Sequence, residues 1–181
     1  MSKQPTLEAE RLILRPFTIA DAPEVQKLAG DKAVAETTLN IPYPYEDGMA
    51  EEWIGTHEKS FKDNKNVTFA IVQKTDNQLA GAISLTINER FNNAEMGYWI
   101  GVPYWNKGYC TEAARVLLDY GFNDLNLNRI FAHHMSHNEA SGKVMQKMGM
   151  NYEGCHHQAV KKNGSYLDIK VYAILKEDFN I

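Results

Sequence analysis

Between Gly97 and Phe122 the chain reads GYWIGVPYWNKGYCTEAARVLLDYGF, and this stretch restricts the fold most. An apolar run ending in Ile100 and Val102 passes through a short basic, glycine-bearing turn and becomes at once an Ala/Leu-rich amphipathic segment. Strand, tight turn and helix are predicted in immediate succession. Such a junction aims the unsatisfied amides of a helix N-terminus outward, where they suit an anion such as a pyrophosphate. Gly108 allows close backbone approach, Lys107 adds positive charge, and Thr111 can cap the helix or donate its hydroxyl. Lysine precedes glycine here, unlike in the phosphate loop of nucleotide hydrolases, and no G-x-G-x-x-G fingerprint occurs. Nucleotide hydrolysis and hydride transfer both lose ground, while the turn alone equally suits a plain tight connection.

The rest of the chain supplies context. RLILRPF (Arg11 to Phe17) predicts a first strand, and Thr18 with Asp21 offers a capping pattern for a helix. Ala22, Val25, Leu28 and Ala29 would form the buried face of that helix, which should end near Gly30. Pro42 and Pro44 forbid a regular element, and a second helix should run from Met49 to Phe61 behind an aromatic-rich loop. VTFAIVQK and LAGAISLTI, separated by TDNQ, predict an antiparallel hairpin, and AEMGYWIGV a fourth strand. After the helix from about Thr111 come a strand at RIFAHHM, a helix at NEASGKVMQKMG and two last strands around KKNGS. The order is βααβββαβαββ, with no internal repeat or linker.

With 181 residues the chain is expected to form one domain. No apolar stretch is long enough to span a bilayer, and MSKQPTLEAERLILRPF does not read as a signal peptide, so the expected compartment is the cytoplasm. A net charge of −4 with scattered Lys and Arg argues against a nucleic-acid footprint and is compatible with a cationic substrate. Two cysteines, Cys110 and Cys155, make no disulfide framework and no metal-type spacing. On a strand, His133 and His134 point to opposite faces, so no metal site is expected from them.

The segments RLILRPFTIADAPEV, GAISL, AEMGYWIG, WNKGYCTEA, NEASGKVMQKMGM and YEG follow one another from Arg11 to about Lys176. In that order they resemble the GNAT-type N-acetyltransferases, in particular the branch of ribosomal-protein N-terminal acetyltransferases. The resemblance implies an α/β GNAT fold, with a mixed, mostly antiparallel seven-stranded sheet, four flanking helices and splayed central strands, over one domain at 1–181. It implies acetyl-CoA as cosubstrate and no metal. The pantetheine arm would pair with Tyr98, Trp99, Ile100, Gly101 and Val102, and the pyrophosphate would lie on the amides of Lys107, Gly108, Tyr109, Cys110 and Thr111. Asn138 would reach the pantetheine amide, and Lys143 and Lys147 share a helix face that could meet phosphate. Trp105 stands where Gln or Arg is usual, and Cys110 where Gly or Ala is usual.

The implied reaction needs a base for an ammonium proton and a donor for the leaving thiolate. Glu95 is the first candidate base, with Glu36 and Glu153 in reserve. Many relatives carry a tyrosine seven residues after the helix-starting Asn, and this chain has Met145 there, so Ser141 becomes the candidate donor. A thiolate leaves with modest help, because a free thiol titrates near ~8.5. Cys110 at a helix N-terminus could have a lowered pKa and serve a covalent route, although simple substitution for Ala is favoured. Tyr43, Tyr45, Trp53, His133 and His134 are expected along the acceptor. That acceptor would be a protein N-terminal amine, or else a polyamine, amino acid or antibiotic amine. A non-catalytic acyl-CoA-binding regulator is the reading from another class. Neither nucleic acid nor membrane is an expected partner, and a homodimer is left open.

Overall fold

The computed structural model describes residues 3–179. Its strands are β1 (Leu7–Glu8), β2 (Leu12–Pro16), β3 (Asn66–Gln73), β4 (Leu79–Asn88), β5 (Asn93–Ile100), β6 (Arg129–Met135), β7 (Asn151–Lys162) and β8 (Ser165–Leu175). Its α-helices are α1 (Ala22–Ala29), α2 (Lys32–Thr37), α3 (Met49–Gly55), α4 (His57–Lys62), α5 (Tyr109–Asp119) and α6 (Glu139–Lys147). The strands form one sheet in the order β1-β2-β3-β4-β5-β6-β8-β7. Every pairing is antiparallel except β5 with β6.

The sheet has eight strands where seven were expected, because the two-residue β1 is too short to show alternation in sequence. Among the described residues the α-helices number six, not four. Asp31 accepts a hydrogen bond from Ala33 N–H at 2.8 Å and starts the short α2, and the expected Met49–Phe61 helix divides at Thr56, whose hydroxyl bonds the Trp53 carbonyl. The helix after the basic turn begins at Tyr109, two residues before the expected start.

β3 and the first half of β4 are buried at nearly every position because helices cover both faces of the sheet. α1 and α4 pack over the face bearing Ala82, Ser84 and Trp99, and α5 and α6 over the face bearing Leu85, Met96 and Ala132. On α1 the residues Ala22, Val25, Leu28 and Ala29 are buried, as their spacing predicts. Phe69, Leu12, Leu14, Leu117 and Phe122 are fully buried at the centre. The β7–β8 hairpin turns on Asn163 and Gly164, both with positive φ. Near its tip Lys162 Nζ donates to the Ala35 and Thr38 carbonyls, which ties the end of α2 to the hairpin. No described helix is long and apolar enough to cross a membrane.

Candidate active site

The site begins where the sheet stops pairing. β5 pairs with β4 along its whole length but with β6 only from Asn93 to Glu95, opposite Arg129 to Phe131. Beyond Glu95 and Phe131 the two parallel strands part, and a cleft of about 1190 Å³ opens between them and over the sheet. Tyr98, Trp99 and Ile100 line it. Gly101 and Val102 do not: Gly101 N–H donates to Ala80 of β4, and Pro103 sits in a 3-10 turn from Val102 to Tyr104 that ends the strand. The Ile100 carbonyl is also engaged, accepting from the Trp105 indole at 2.7 Å. The aromatic residue that departs from the expected Gln or Arg thus covers the end of β5.

Gly108 is the N-cap of α5 at φ 78°, a left-handed conformation that glycine adopts without strain. It turns the first-turn amides of Tyr109, Cys110 and Thr111 into the cleft, which all three residues line. Arg11 holds this turn. Its Nε donates to Glu112 at 2.7 Å, its Nη1 donates to the Lys107 carbonyl at 3.0 Å, and its guanidinium lies 4.9 Å from the Tyr109 ring centroid. Arg11 neutralises Glu112, so the carboxylate in the first turn does not cancel the favourable field for an anion. Lys107 stays out of the cleft lining, with Nζ 5.3 Å from the Tyr104 ring centroid. The partly buried Cys110 thiol is not activated by the helix: burial pushes its pKa up.

α6 forms the opposite wall. Asn138 is its N-cap, accepting from Ser141 N–H at 3.3 Å and donating Nδ2 to the Thr37 carbonyl at 3.1 Å. Each end of its amide thus makes one bond to the scaffold, which fixes its orientation in the cleft lining and leaves one N–H and one lone pair. Lys143 and Lys147 line the cleft one turn apart. The Ser141 hydroxyl lies 2.8 Å from the Tyr98 hydroxyl, which crosses the gap from β5. Burial pushes the Tyr98 pKa up, so the phenol keeps its proton. Tyr98 was expected to contribute backbone alone, and nothing in its sequence position announced this contact. His134 is buried against α6: its Nδ1 bonds the Met135 carbonyl at 2.8 Å, and a Cβ at Gly142 would lie 2.8 Å from its Nε2. It lines the cleft and at the same time packs against a helix that only glycine lets approach.

Antiparallel partners share a face, so Thr68, Ser84, Gly97, Ala82 and Trp99 form the floor of the other half of the cleft. Glu95 and His133 stand at its end, with His133 Nδ1 3.1 Å from Glu95 Oε1. Tyr45 and Trp53 line the wall, whereas Tyr43 is 59% exposed and outside the lining. Of the reserve carboxylates, Glu36 is exposed beside Lys32 and Glu153 is paired with Arg129, and neither lines the cleft. Among the described residues, one Cys/His/Asp group, Cys155, His157 and Asp168, brings ligand atoms within 4.8 Å of one another, on the β7–β8 hairpin away from the cleft lining.

An Acetyltransferase (GNAT) domain matches residues 11–151. A relative named Uncharacterized N-acetyltransferase p20, from Bacillus licheniformis, is 32% identical over 176 residues, covering 96% of this chain and 98% of its own. Spermidine N(1)-acetyltransferase of Escherichia coli (strain K12) is 29% identical over 147 residues, 81% of this chain and 76% of its own. The solved structure of RimL, a ribosomal L7/L12 alpha-N-protein acetyltransferase in complex with coenzyme A, has a TM-score of 0.87 at 21% identity, covering 94% of this chain and 98% of that one. That last likeness speaks for the fold. The domain match, the relatives and a sheet that parts beside free helix amides agree that the chain belongs to the GNAT family of N-acetyltransferases.

Proposed function

We propose that the protein transfers the acetyl group of acetyl-CoA to a primary amine, with a protein N-terminal amine as acceptor, in the cytoplasm. The observation that carries this reading is the fork between β5 and β6, with first-turn amides of α5 at its open end and the Glu95–His133 pair where it closes. On this reading residues 1–181 make a single acetyltransferase domain, an inference supported by the one continuous sheet. The CoA pyrophosphate lies on the amides of Tyr109, Cys110 and Thr111, with Lys143 and Lys147 near its phosphates. The pantetheine arm runs down the gap along Tyr98 and Trp99. An arm entering there must end at the fork, because paired strands block it beyond Glu95.

At the fork the amine loses a proton to the basic end of the site, which is built around Glu95. Its nitrogen lone pair then attacks the thioester carbonyl. The C–S bond breaks as the tetrahedral intermediate collapses, and the second amine proton reaches the thiolate with the Ser141 hydroxyl as donor and Tyr98 behind it. An open cleft with Tyr45 and Trp53 on its wall and Trp99 on its floor has room for a chain end beside the CoA arm. The likeness to a spermidine acetyltransferase supports a second reading, a small polyamine as acceptor.

Thiol release from acetyl-CoA, followed over N-terminal peptides, polyamines, amino acids and aminoglycosides, tests both. Turnover greatest with peptides is the expected result. Turnover with polyamines alone replaces the acceptor, and tight CoA binding without turnover on any amine points to a non-catalytic acyl-CoA sensor.

A further inference from the structure

Resting on the acetyl-transfer reading above, we infer that the atom that takes the amine proton is Nε2 of His133, and that Glu95 is a positioning residue acting through it. β5 and β6 last pair at Glu95 and Phe131, and His133 is the next residue of β6 on the face shared with Glu95. The two side chains therefore meet across the fork itself. His133 Nδ1 lies 3.1 Å from Glu95 Oε1, an ion-pair distance without hydrogen-bond alignment in this structure; a carboxylate only accepts, so a small turn of the ring that aligns the contact puts the proton of a neutral imidazole on Nδ1. The lone pair is left on Nε2, which makes no hydrogen bond among the described residues while His133 lines the cleft. Imidazoles as a class ionise nearer neutral pH than carboxylates, which suits a base that must be free yet effective. A half-exposed carboxylate is better suited to orienting the ring and stabilising the imidazolium once it forms.

The step balances. An ammonium N–H bond breaks and its proton forms a bond to Nε2; the freed amine attacks; after the thiol leaves, the imidazolium gives its proton to water. The charged groups around the pair are few. Glu52 of α3 lies in the cleft wall, and Asp63, Lys65 and Glu89 line a groove of about 410 Å³ on the other side of Glu95. Arg129, further along the same face of β6, is tied to Glu153. Lys170 of β8 lies beside His134 on the opposite face.

His133→Gln, Glu95→Gln, the double variant and His133→Ala, each in the full chain, separate the roles. His133→Gln should lower kcat by at least about 100-fold and Glu95→Gln by about tenfold, both at unchanged CoA affinity, which also reports folding. The double variant should be no slower than His133→Gln alone, because residues that act as a unit are not additive. Added imidazole should restore part of the turnover of His133→Ala and none of that of Glu95→Gln. Full activity in His133→Gln, or an equal loss from Glu95→Gln in both backgrounds, gives the base to Glu95 and overturns the inference. Imidazole ¹⁵N spectra provide a readout that needs no turnover. The Nδ1–H tautomer is expected in the parent and a mixture in Glu95→Gln, and an Nε2–H tautomer in the parent overturns the dyad. If the parent acetylates no amine, the acetyl-transfer reading itself fails, an outcome distinct from any of these.

Discussion

The two flanks of the cleft are made of different material. The flank proposed for CoA presents main-chain N–H groups, aimed by a strand, one left-handed glycine and a helix, and its side chains mostly serve that geometry: Arg11 clamps the turn and Asn138 caps α6. The flank proposed for the acceptor presents side chains from β5, β6 and α3, with Glu95, His133 and Trp53 converging from distant parts of the sequence. A backbone site should break when its path or charge is altered and should tolerate changes of side chain. A side-chain site should do the reverse. Gly108→Asp tests the first half. It puts a carboxylate where an anion must approach and asks a non-glycine residue to hold φ 78°, so CoA affinity should fall more than about 100-fold. Room exists for the added Cβ, whose nearest neighbour is Arg11 Nη2 at 3.5 Å, and Gly108→Asn, which tolerates the left-handed region without charge, should lose less than about tenfold. Equal losses in the two variants, measured by calorimetry, would make strain and not the anion site the cause.

On the acceptor flank, Glu95→Gln keeps shape and hydrogen bonding but removes charge. A fall in kcat of at least about tenfold is expected at neutral pH, with partial recovery at high pH, where the acceptor amine deprotonates unaided. Parallel loss of CoA binding would mean that Glu95 supports the fork structurally and would erase the contrast between flanks.

The same contrast decides what could be read in the sequence. The strand–turn–helix junction, the hairpins and the helix faces are local patterns, and the Arg129–Met135 strand, the Asn138 cap and the glycine turn could be read from a few neighbouring residues each. Tyr98 with Ser141, Glu95 with His133 and Arg11 with Glu112 are contacts over 43, 38 and 101 positions, and no periodicity reports them. Asn138 illustrates the limit: its capping preference was visible, but that Thr37 would take one N–H of its amide depends on where α2 docks. Trp105 was visible as a departure from the resemblance, while its bond to Ile100 needed the 3-10 turn between them.

The acceptor wall also has a weakness to acid that the CoA turn lacks. His57, 9% exposed, sits edge-on to Trp53 at 4.5 Å and to Phe17 at 5.5 Å, and neither ring nitrogen has a hydrogen-bond partner among the described residues. Burial lowers its pKa from 6.5 to about 4. Between those values the unfolded chain takes up a proton that the folded one refuses, so stability is complete above about pH 6.5 and declines as pH falls toward 4. The loss should be about 1–3 kcal/mol. His57→Phe keeps an aromatic ring and removes the proton site. Its Tm should fall less than that of the parent between pH 6.5 and 4.5, and amide exchange in α3 and α4 should lose its acid sensitivity. Identical pH profiles in the two proteins would mean that acid acts elsewhere.

The smallest expected effect is at Cys110, and it is informative because a helix N-terminus usually favours a thiolate. Here two influences compete. The dipole and free amides of α5 favour the anion, while removal of the thiol from water disfavours it, and desolvation wins, leaving the pKa raised. No imidazole hydrogen-bonds this thiol among the described residues; the histidines of the cleft, His133 and His134, lie on β6. A neutral thiol is a poor nucleophile, so an acetyl-cysteine intermediate lacks the species it needs. On the proposed reading an anion uses the N–H of Cys110 and not its sulfur, and alanine supplies the same N–H in the same helix. Cys110→Ala should therefore hold kcat and CoA affinity within about twofold of the parent, and acetyl-CoA alone should leave no acetyl group on the protein by mass spectrometry. Loss of turnover with intact CoA binding, together with an acetylated parent, would replace direct attack by a two-step route through the sulfur and make this residue the one place where the CoA flank works through a side chain.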